Sequence, residues 1–287
     1  MIENPPSFVV RTELSKAAFD NGFRLEAGSD SGWIHYRSTT ARGEIWLAAA
    51  GKAGPWFVSI SLGTIASEIG LSAAVEPAGP GFATYGFATL AELHEALDHT
   101  YRLGVSLPDV PLREFLAATS NTPRATEAER MVVQRVGQNI FREALLKYWN
   151  GRCPLTGITE PALLRASHIV PWAECESDAL RLDVHNGLLL SALWDAAFDA
   201  GLVSFDDGGF PIYSGGLSAE ASGQLGGIAG VPLRLTETHR AHLARHRRTH
   251  GFESLSRNVR ECGPVDAKET RLFVSSPNST ESDQNRS

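Results

Sequence analysis

Apolar and polar residues alternate along the first hundred positions in a way that predicts a β-rich region. Residues 32–38 (GWIHYRS), 44–50 (EIWLAAA) and 54–63 (GPWFVSISLG) each predict a strand. The TTARG segment between the first two predicts a hairpin turn. Residues 90–104 have apolar positions at helical spacing, which predicts a helix that Gly104 ends.

A stretch rich in proline, serine, threonine and asparagine follows at residues 106–126, and it predicts a domain boundary with a linker at residues 119–128. Thr126 and Glu129 have the capping-box spacing that begins a helix, which we expect to continue to about Asn150. The buried face predicted for this helix consists of Val133, Val136, Ile140 and Ala144.

Three short elements then follow one another between Cys153 and Gly201. Residues 163–172 predict a strand with His168 at its end, and residues 183–187 (DVHNG) predict a turn before a second strand at 188–190. Residues 191–201 (SALWDAAFDAG) predict a helix that Gly201 closes. A strand, a strand and a helix in this order can hold one metal ion between a hairpin and a helix.

Two acidic residues of the predicted helix, Asp195 and Asp199, are four positions apart. On a helix this spacing puts both carboxylates on one face, with Cβ atoms about 5–6 Å apart. The apolar residues between them predict a largely buried helix, so both acids need a function. Two hard oxygen ligands suit Mg²⁺ or Mn²⁺, with water and a phosphate oxygen completing the coordination.

The region resembles the HNH nuclease superfamily, whose core is the ββα-metal fold, and more narrowly the HNH endonuclease domains associated with bacterial restriction. The resemblance spans roughly residues 132–250. Its motifs are residues 134–138 (QRVGQ), Phe141-Arg142, residues 153–157 (CPLTG), residues 166–172 (ASHIVPW), residues 181–183 (RLD), Asn186-Gly187 and residues 198–201 (FDAG).

The resemblance implies a role for each matching residue. His168 falls on the general base, and its ordinary pKa of about 6.5 leaves neutral imidazole available. Asn186 falls on the residue whose amide braces the hairpin. Asp195 falls where the last histidine of the motif usually stands, and Asp199 where related nucleases have another metal ligand. The bound metal would polarise the phosphate and stabilise charge on the leaving 3′ oxygen.

Two positions depart from the family pattern. Ser167 stands where a metal-binding Asp or His is common, so either the two aspartates and water form the ligand set or Ser167 acts, directly or through a water. Cys153 has no second cysteine at CxxC spacing, so we predict no structural zinc.

Several basic and aromatic residues are candidates for DNA contacts. They are Arg165, Trp172, Arg181, His185, Arg245 and Arg248. For His185 a phosphate contact and a plain role in the turn remain equally open. His239, His242, His246 and His250 form one helical stripe with arginines interleaved, and a phosphate-facing basic helix and a solvated surface remain equally open.

Composition narrows the class of protein. Of the 287 residues, 43% are hydrophobic and 21% charged, which is typical of a soluble globular protein. No apolar run reaches about 18 residues and no secretory signal is visible, so we expect no membrane segment. Three scattered cysteines, Cys153, Cys175 and Cys262, favour a reducing cytoplasm. The net charge of −7 lies mostly in residues 1–128, so it does not exclude DNA binding by the rest.

The sequence therefore predicts an α+β protein. A β-rich N-terminal α+β domain (1–118) would recognise the DNA target, modified bases included, and an HNH nuclease domain (129–250), preceded by the long helix, would cut. The polar tail (251–287) is predicted to be disordered. Trp33, Tyr36, Trp46 and Trp56 are predicted to be core residues.

The predicted activity is that of a divalent-metal-dependent DNA endonuclease, a restriction enzyme by its resemblance. Cleavage of both strands would need a homodimer or sequential nicking. The alternatives are a nicking, repair or toxin nuclease, and a DNA-binding protein whose nuclease core has decayed. Ser167 keeps the last alternative open.

Overall fold

The computed structural model describes residues 1–73, 76–123, 125–225 and 232–252. Most of the predicted tail, residues 253–287, and Cys262 with it, lies outside the described residues. The elements of the N-terminal region are α1 (Phe8–Asp20), β1 (Leu25–Asp30), β2 (Trp33–Arg37), β3 (Glu44–Ala49), β4 (Trp56–Ile60), α2 (Gly63–Glu68), β5 (Ala83–Phe87), α3 (Leu90–Ser106) and α4 (Asp109–Thr119).

The five strands of this region form one antiparallel sheet in sequence order. Ile34 pairs with Leu47, and Leu47 with Val58, so alternation along the strands puts these fully buried side chains on one face. Helices α1 and α3 pack against this face. The predicted strands at 32–38, 44–50 and 54–63 are confirmed as β2, β3 and β4, and this region is β-rich as predicted.

The aromatic residues of the sheet agree with the prediction of a core role. Trp33, Tyr36 and Trp56 are buried. Trp46 is only partly buried, and its ring stacks on that of His35 with ring centres 4.7 Å apart.

The prediction that Gly104 ends a helix is wrong, because α3 continues to Ser106. A Cβ at position 104 would lie 2.8 Å from the carbonyl oxygen of Arg42, so the glycine allows the loop before β3 to pack closely on the helix. The helix ends before Leu107 and Pro108, since proline restricts the residue that precedes it.

The stretch at 106–126, for which the sequence predicts a domain boundary and no helix, contains α4. Pro111 lies in the first turn of α4, where the missing N–H costs no helical hydrogen bond. Pro111 and Phe115 are buried, and α4 packs on the next helix. This helix is hard to predict from the sequence because its short apolar face lies among many turn-forming residues.

The elements of the C-terminal region are α5 (Glu127–Tyr148), β6 (Leu164–His168), α6 (Asp178–Arg181), β7 (Gly187–Ser191), α7 (Ala192–Asp199), β8 (Val203–Phe205), β9 (Pro211–Tyr213), α8 (Ala219–Gln224) and α9 (Glu237–Thr249). The predicted capping box is present at the start of α5, where Thr126 Oγ1 accepts from the Glu129 N–H and the Glu129 carboxylate accepts from the Thr126 N–H. Val133, Ile140 and Ala144 are buried as predicted, and Val136 is partly buried.

The strand–strand–helix order predicted between 163 and 201 is confirmed. Strands β6 and β7 pair antiparallel with His168 opposite Gly187, and α7 follows β7 directly. Strand β7 is buried along its whole length, and it contacts α5 and α7. The expected burial of α7 holds only in part, because Ala197 and Phe198 are buried whereas Ala196 and Asp199 are exposed.

Candidate active site

A cleft of about 580 Å³ lies where the end of β6 faces α7 and α9. It brings together most of the side chains that the sequence singles out. These are Arg165, Ser167, His168, Trp172, Asp195, Asp199 and Arg245. The hairpin supplies the histidine and the helix supplies the two carboxylates, which is the arrangement that the order of elements predicted.

His168 is fixed in the cleft wall by two aromatic rings and one hydrogen bond. Its ring stacks on Phe141 with ring centres 3.8 Å apart, and the Trp172 ring meets it edge-on at 5.5 Å. Its Nε2 lies 2.9 Å from the carbonyl oxygen of Arg181. A carbonyl oxygen only accepts, so Nε2 carries the proton and Nδ1 keeps its lone pair.

The surroundings of His168 favour its neutral form. Burial lowers the pKa of His168, and the hydrogen bond to the Arg181 carbonyl opposes this effect without cancelling it. The imidazole is therefore uncharged at neutral pH and able to accept a proton.

Asn186 lies behind the hairpin and does not line the cleft. It is fully buried, and its Oδ1 accepts from the Val170 N–H at 2.8 Å. Its Nδ2 donates to the carbonyls of Val170 and Leu180, each at 3.2 Å, and contacts Cys175 Sγ. The amide is therefore positioned to hold the chain that follows β6.

Asp195 and Asp199 face the cleft from one side of α7. Burial, and then the negative charge of Asp195, raise the pKa of Asp199. Ser167 is buried, and its hydroxyl donates a hydrogen bond to Asp195 Oδ1. Among the described residues, Asp199 has no hydrogen-bond or ion-pair partner. A cation bound between these two carboxylates would relieve their mutual repulsion.

The donor chemistry of the cleft fits Mg²⁺ or Mn²⁺. In the part of the chain that the structure describes, no group of three or more His, Cys, Asp or Glu residues is placed to hold a metal ion. Mg²⁺ does not need such a group, because it commonly binds through one or two carboxylates and keeps several waters and substrate phosphate oxygens.

Three of the predicted DNA contacts lie elsewhere. The Arg181 guanidinium donates to the carbonyls of Trp172 and Cys175 and pairs with Asp178. Arg248 is exposed on α9 but does not line the cleft. His185 is buried outside the cleft. For Arg181 and His185 the reason is physical, since their polar atoms are already bound within the protein.

Two of the four histidines in the α9 stripe, His239 and His246, are buried and do not form part of an exposed surface. His239 is fully buried against Tyr148 and Trp149. His246 stacks on Phe198 at 4.0 Å and its Nδ1 lies 3.0 Å from Ser204 Oγ. Burial, together with the charge of His250, lowers the pKa of His246 to about 4, so it cannot serve as a cation for phosphate.

The cleft also contains residues that the sequence analysis missed. Glu174 pairs with Arg245 at 2.8 Å across the cleft, and Thr249 at the end of α9 adds to its wall. Phe141, which supports His168, lies in the Phe141-Arg142 motif of the family resemblance, but that resemblance gives it no role. Its distance of one helical turn from the buried Gly137 and Ala144 was the available signal.

Residues 153–206 match a protein-family model described as HNH endonuclease. This segment is an HNH endonuclease domain. The match contains β6, β7 and α7, and with them His168, Asn186, Asp195 and Asp199. An HNH domain supports nuclease activity and implies a DNA substrate. A search among curated proteins gave no match to the chain. Among the described residues there is no helix with the length and apolar character needed to cross a membrane.

Proposed function

We propose that this protein is a divalent-metal-dependent DNA endonuclease in which His168 is the general base. The observation that supports this most directly is the cleft itself. His168 is neutral and has a free lone pair on Nδ1. It lines the same space as the carboxylates of Asp195 and Asp199, which a cation would stabilise. Arg165 and Arg245 bring positive charge to the cleft wall, although the Glu174 carboxylate offsets the charge of Arg245.

In the proposed mechanism, His168 takes a proton from the water that attacks the phosphorus. The Arg181 carbonyl keeps Nε2 protonated, so the proton is accepted at Nδ1. Mg²⁺ or Mn²⁺ bound by Asp195 and Asp199 would supply positive charge to the scissile phosphate and the leaving oxygen. Ser167 orients the Asp195 carboxylate through its hydrogen bond.

We further propose that the N-terminal region (1–118) selects the DNA target and that the protein acts in restriction. The resemblance to restriction-associated HNH domains supports this role, as does the β-rich region next to the nuclease domain (129–250). Cutting both strands would then require a homodimer or two successive nicks.

One assay tests the proposal. Plasmids from methylating and non-methylating hosts are incubated with the protein and Mg²⁺ or Mn²⁺, with EDTA as the control. We expect metal-dependent nicked or linear products, and a preference for one host's plasmid if base modification matters. Absence of cleavage on every substrate would exclude the nuclease function.

A second candidate is a DNA-binding protein that does not cut. The observation in its favour is Ser167, which occupies a common ligand position and is hydrogen-bonded to one of the two aspartates. In that case the protein would retard DNA in EDTA and in Mg²⁺ alike, with no product under any condition.

A further inference from the structure

A buried polar cluster connects the N-terminal region to the turn that carries Asn186. The Glu68–His185 cluster consists of Glu68 at the end of α2, Tyr148 at the end of α5, and Asp183 and His185 at the turn before β7. His185 Nε2 lies 2.7 Å from Glu68 Oε1, and His185 Nδ1 lies 2.9 Å from Asp183 Oδ1. The Tyr148 hydroxyl donates to Glu68 Oε2 at 2.9 Å.

Both ring nitrogens of His185 face carboxylates, so the ring binds as a cation that donates at each end. The side chains of His185 and Glu68 are each 11% exposed. Burial opposes the charge, but the hydrogen bonds and negative charges of Asp183 and Glu68 outweigh it and raise the pKa of His185 to about 9. The adjacent His239 is neutral because burial lowers its pKa to about 3.

Glu68 is held by its two polar partners, His185 and Tyr148. Glu68 and His185 line both a cavity of about 830 Å³ and another of about 450 Å³. The open space on two sides gives weight to these polar contacts and to the rings of Tyr148 and His239, which pack against His185. It also means that a shorter side chain at position 68 leaves room for water instead of straining the core.

The residue next to His185 is hydrogen-bonded to the backbone that follows His168, the proposed general base. The next residue, Asn186, accepts from the Ile169 N–H through its backbone carbonyl at 3.0 Å and from the Val170 N–H through Oδ1 at 2.8 Å. Ile169 and Val170 follow His168 in the chain. The backbone on the C-terminal side of His168 is thus held by the residue next to His185.

We propose that Glu68 is a positioning residue for His168, which acts through His185 and Asn186 and makes activity of the HNH domain depend on the N-terminal region. Glu68 lies outside the segment that matches the family and 117 positions before His185. The inference rests on the proposed function, because His168 must act in cleavage for its position to affect a rate.

The test uses the full chain with Glu68→Ala, Glu68→Gln, His185→Ala and the double variant Glu68→Ala/His185→Ala. Single-turnover cleavage of plasmid DNA is measured with protein and Mg²⁺ saturating, and DNA affinity is measured in EDTA. We expect Glu68→Ala to lower the saturating rate roughly 10–100-fold, as loss of an outer positioning partner does, while DNA affinity stays within about twofold. The double variant should be no slower than the slower single variant, because the two residues act as one unit.

Glu237→Gln is the matched control, since Glu237 lines the same 830 Å³ cavity but its side chain is 92% exposed. It should keep the wild-type rate. A folded Glu68→Ala with the wild-type rate would overturn the proposal, as would weaker DNA binding with an unchanged saturating rate. If Glu68→Ala does not fold, Glu68→Gln decides by the same criteria, because it keeps the volume and the acceptor for Tyr148 while removing the charge.

A second readout separates this proposal from the proposed function. The ring ¹⁵N and ¹H signals of His168 report its position whether or not the protein cuts DNA. If the wild type cuts nothing, the nuclease function fails, and a shift of these signals in Glu68→Ala but not in Glu237→Gln still supports the positioning role. Unchanged His168 signals would overturn it.

Discussion

His168 and His185 belong to the same hairpin region, yet their surroundings give them opposite chemistry. His168 lies at the end of β6 with aromatic rings around it and a backbone carbonyl at Nε2. His185 lies just before β7 with a carboxylate at each ring nitrogen. Burial without a countercharge lowers the pKa of the first, and two carboxylates raise the pKa of the second to about 9.

The difference shows what a histidine needs to be a base and what it needs to be a structural cation. A base must be neutral, have one nitrogen free and reach the substrate. Burial lowers the pKa of His168, its Nε2 is the nitrogen bound to a carbonyl, and the residue lines the cleft, which supports its proposed role. His185 has no free nitrogen and no access to the cleft, so it stabilises the turn instead. The proposed roles follow from these partners rather than from the residue type.

The largest effect is expected from His168→Ala. Removing a general base costs roughly 10²–10⁴-fold in rate, so plasmid cleavage should nearly vanish while DNA binding in EDTA persists. The measurement is the single-turnover rate at saturating Mg²⁺. Cleavage within about tenfold of wild type, below the usual contribution of a general base, would remove His168 from that role.

His185→Gln should lower the stability of the protein as well as its cleavage rate, and the loss of stability should depend on pH. The folded-state pKa of about 9 lies above the ordinary 6.5. The stabilisation is therefore fully present below pH 6.5 and is lost as the pH rises through about 9. The shift corresponds to at most about 3 kcal/mol in the free energy of unfolding.

Urea denaturation of wild type and His185→Gln from about pH 6 to about pH 10 measures this contribution. The difference between the two proteins should shrink as the pH rises. A difference that stays constant, or that grows with pH, would show that His185 is not held as a cation between Glu68 and Asp183.

Asp195→Ala tests the proposed metal site, with a substitution of His185 as the contrast. We expect it to raise the Mg²⁺ concentration needed for half-maximal cleavage by at least roughly tenfold, the lower end of what loss of an outer-sphere partner costs. His185→Ala should lower the rate without changing that concentration. Equal shifts in metal dependence for the two variants would mean that the ligand set is wrong.

The sequence predicted those parts of the fold that local patterns encode. Strands β2 to β4 and the capping box of α5 followed from alternation and spacing, and so did the β6–β7–α7 order. Helix α4 and the continuation of α3 past Gly104 did not, because they depend on tertiary contacts. Gly104 is a point of close approach to the Arg42 carbonyl, and Phe115 is buried against α5, which no local pattern states.

The candidate site was predictable to a similar extent. The sequence predicts that His168, Asp195 and Asp199 lie close together because they are on consecutive elements. In the structure all three line one cleft. The sequence predicts Arg181 and His185 as DNA contacts because it does not show that a backbone carbonyl or a distant carboxylate already binds them. Glu68 could not be found, since its partner is 117 positions away.

The smallest predicted effect comes from the aromatic support of His168. A Cβ at Gly137 in α5 would lie 2.5 Å from Trp172 Cη2, so Gly137→Ala must displace the ring that meets His168 edge-on. Overpacking costs about 1–3 kcal/mol and the gain in helix propensity returns up to about 1 kcal/mol. We expect a slightly less stable protein that cuts more slowly than wild type but faster than His168→Ala.

Gly223→Ala, where a Cβ meets nothing within 4 Å, is the control and should lower neither the cleavage rate nor the stability. A wild-type cleavage rate in Gly137→Ala would mean that the position of Trp172 does not matter to His168.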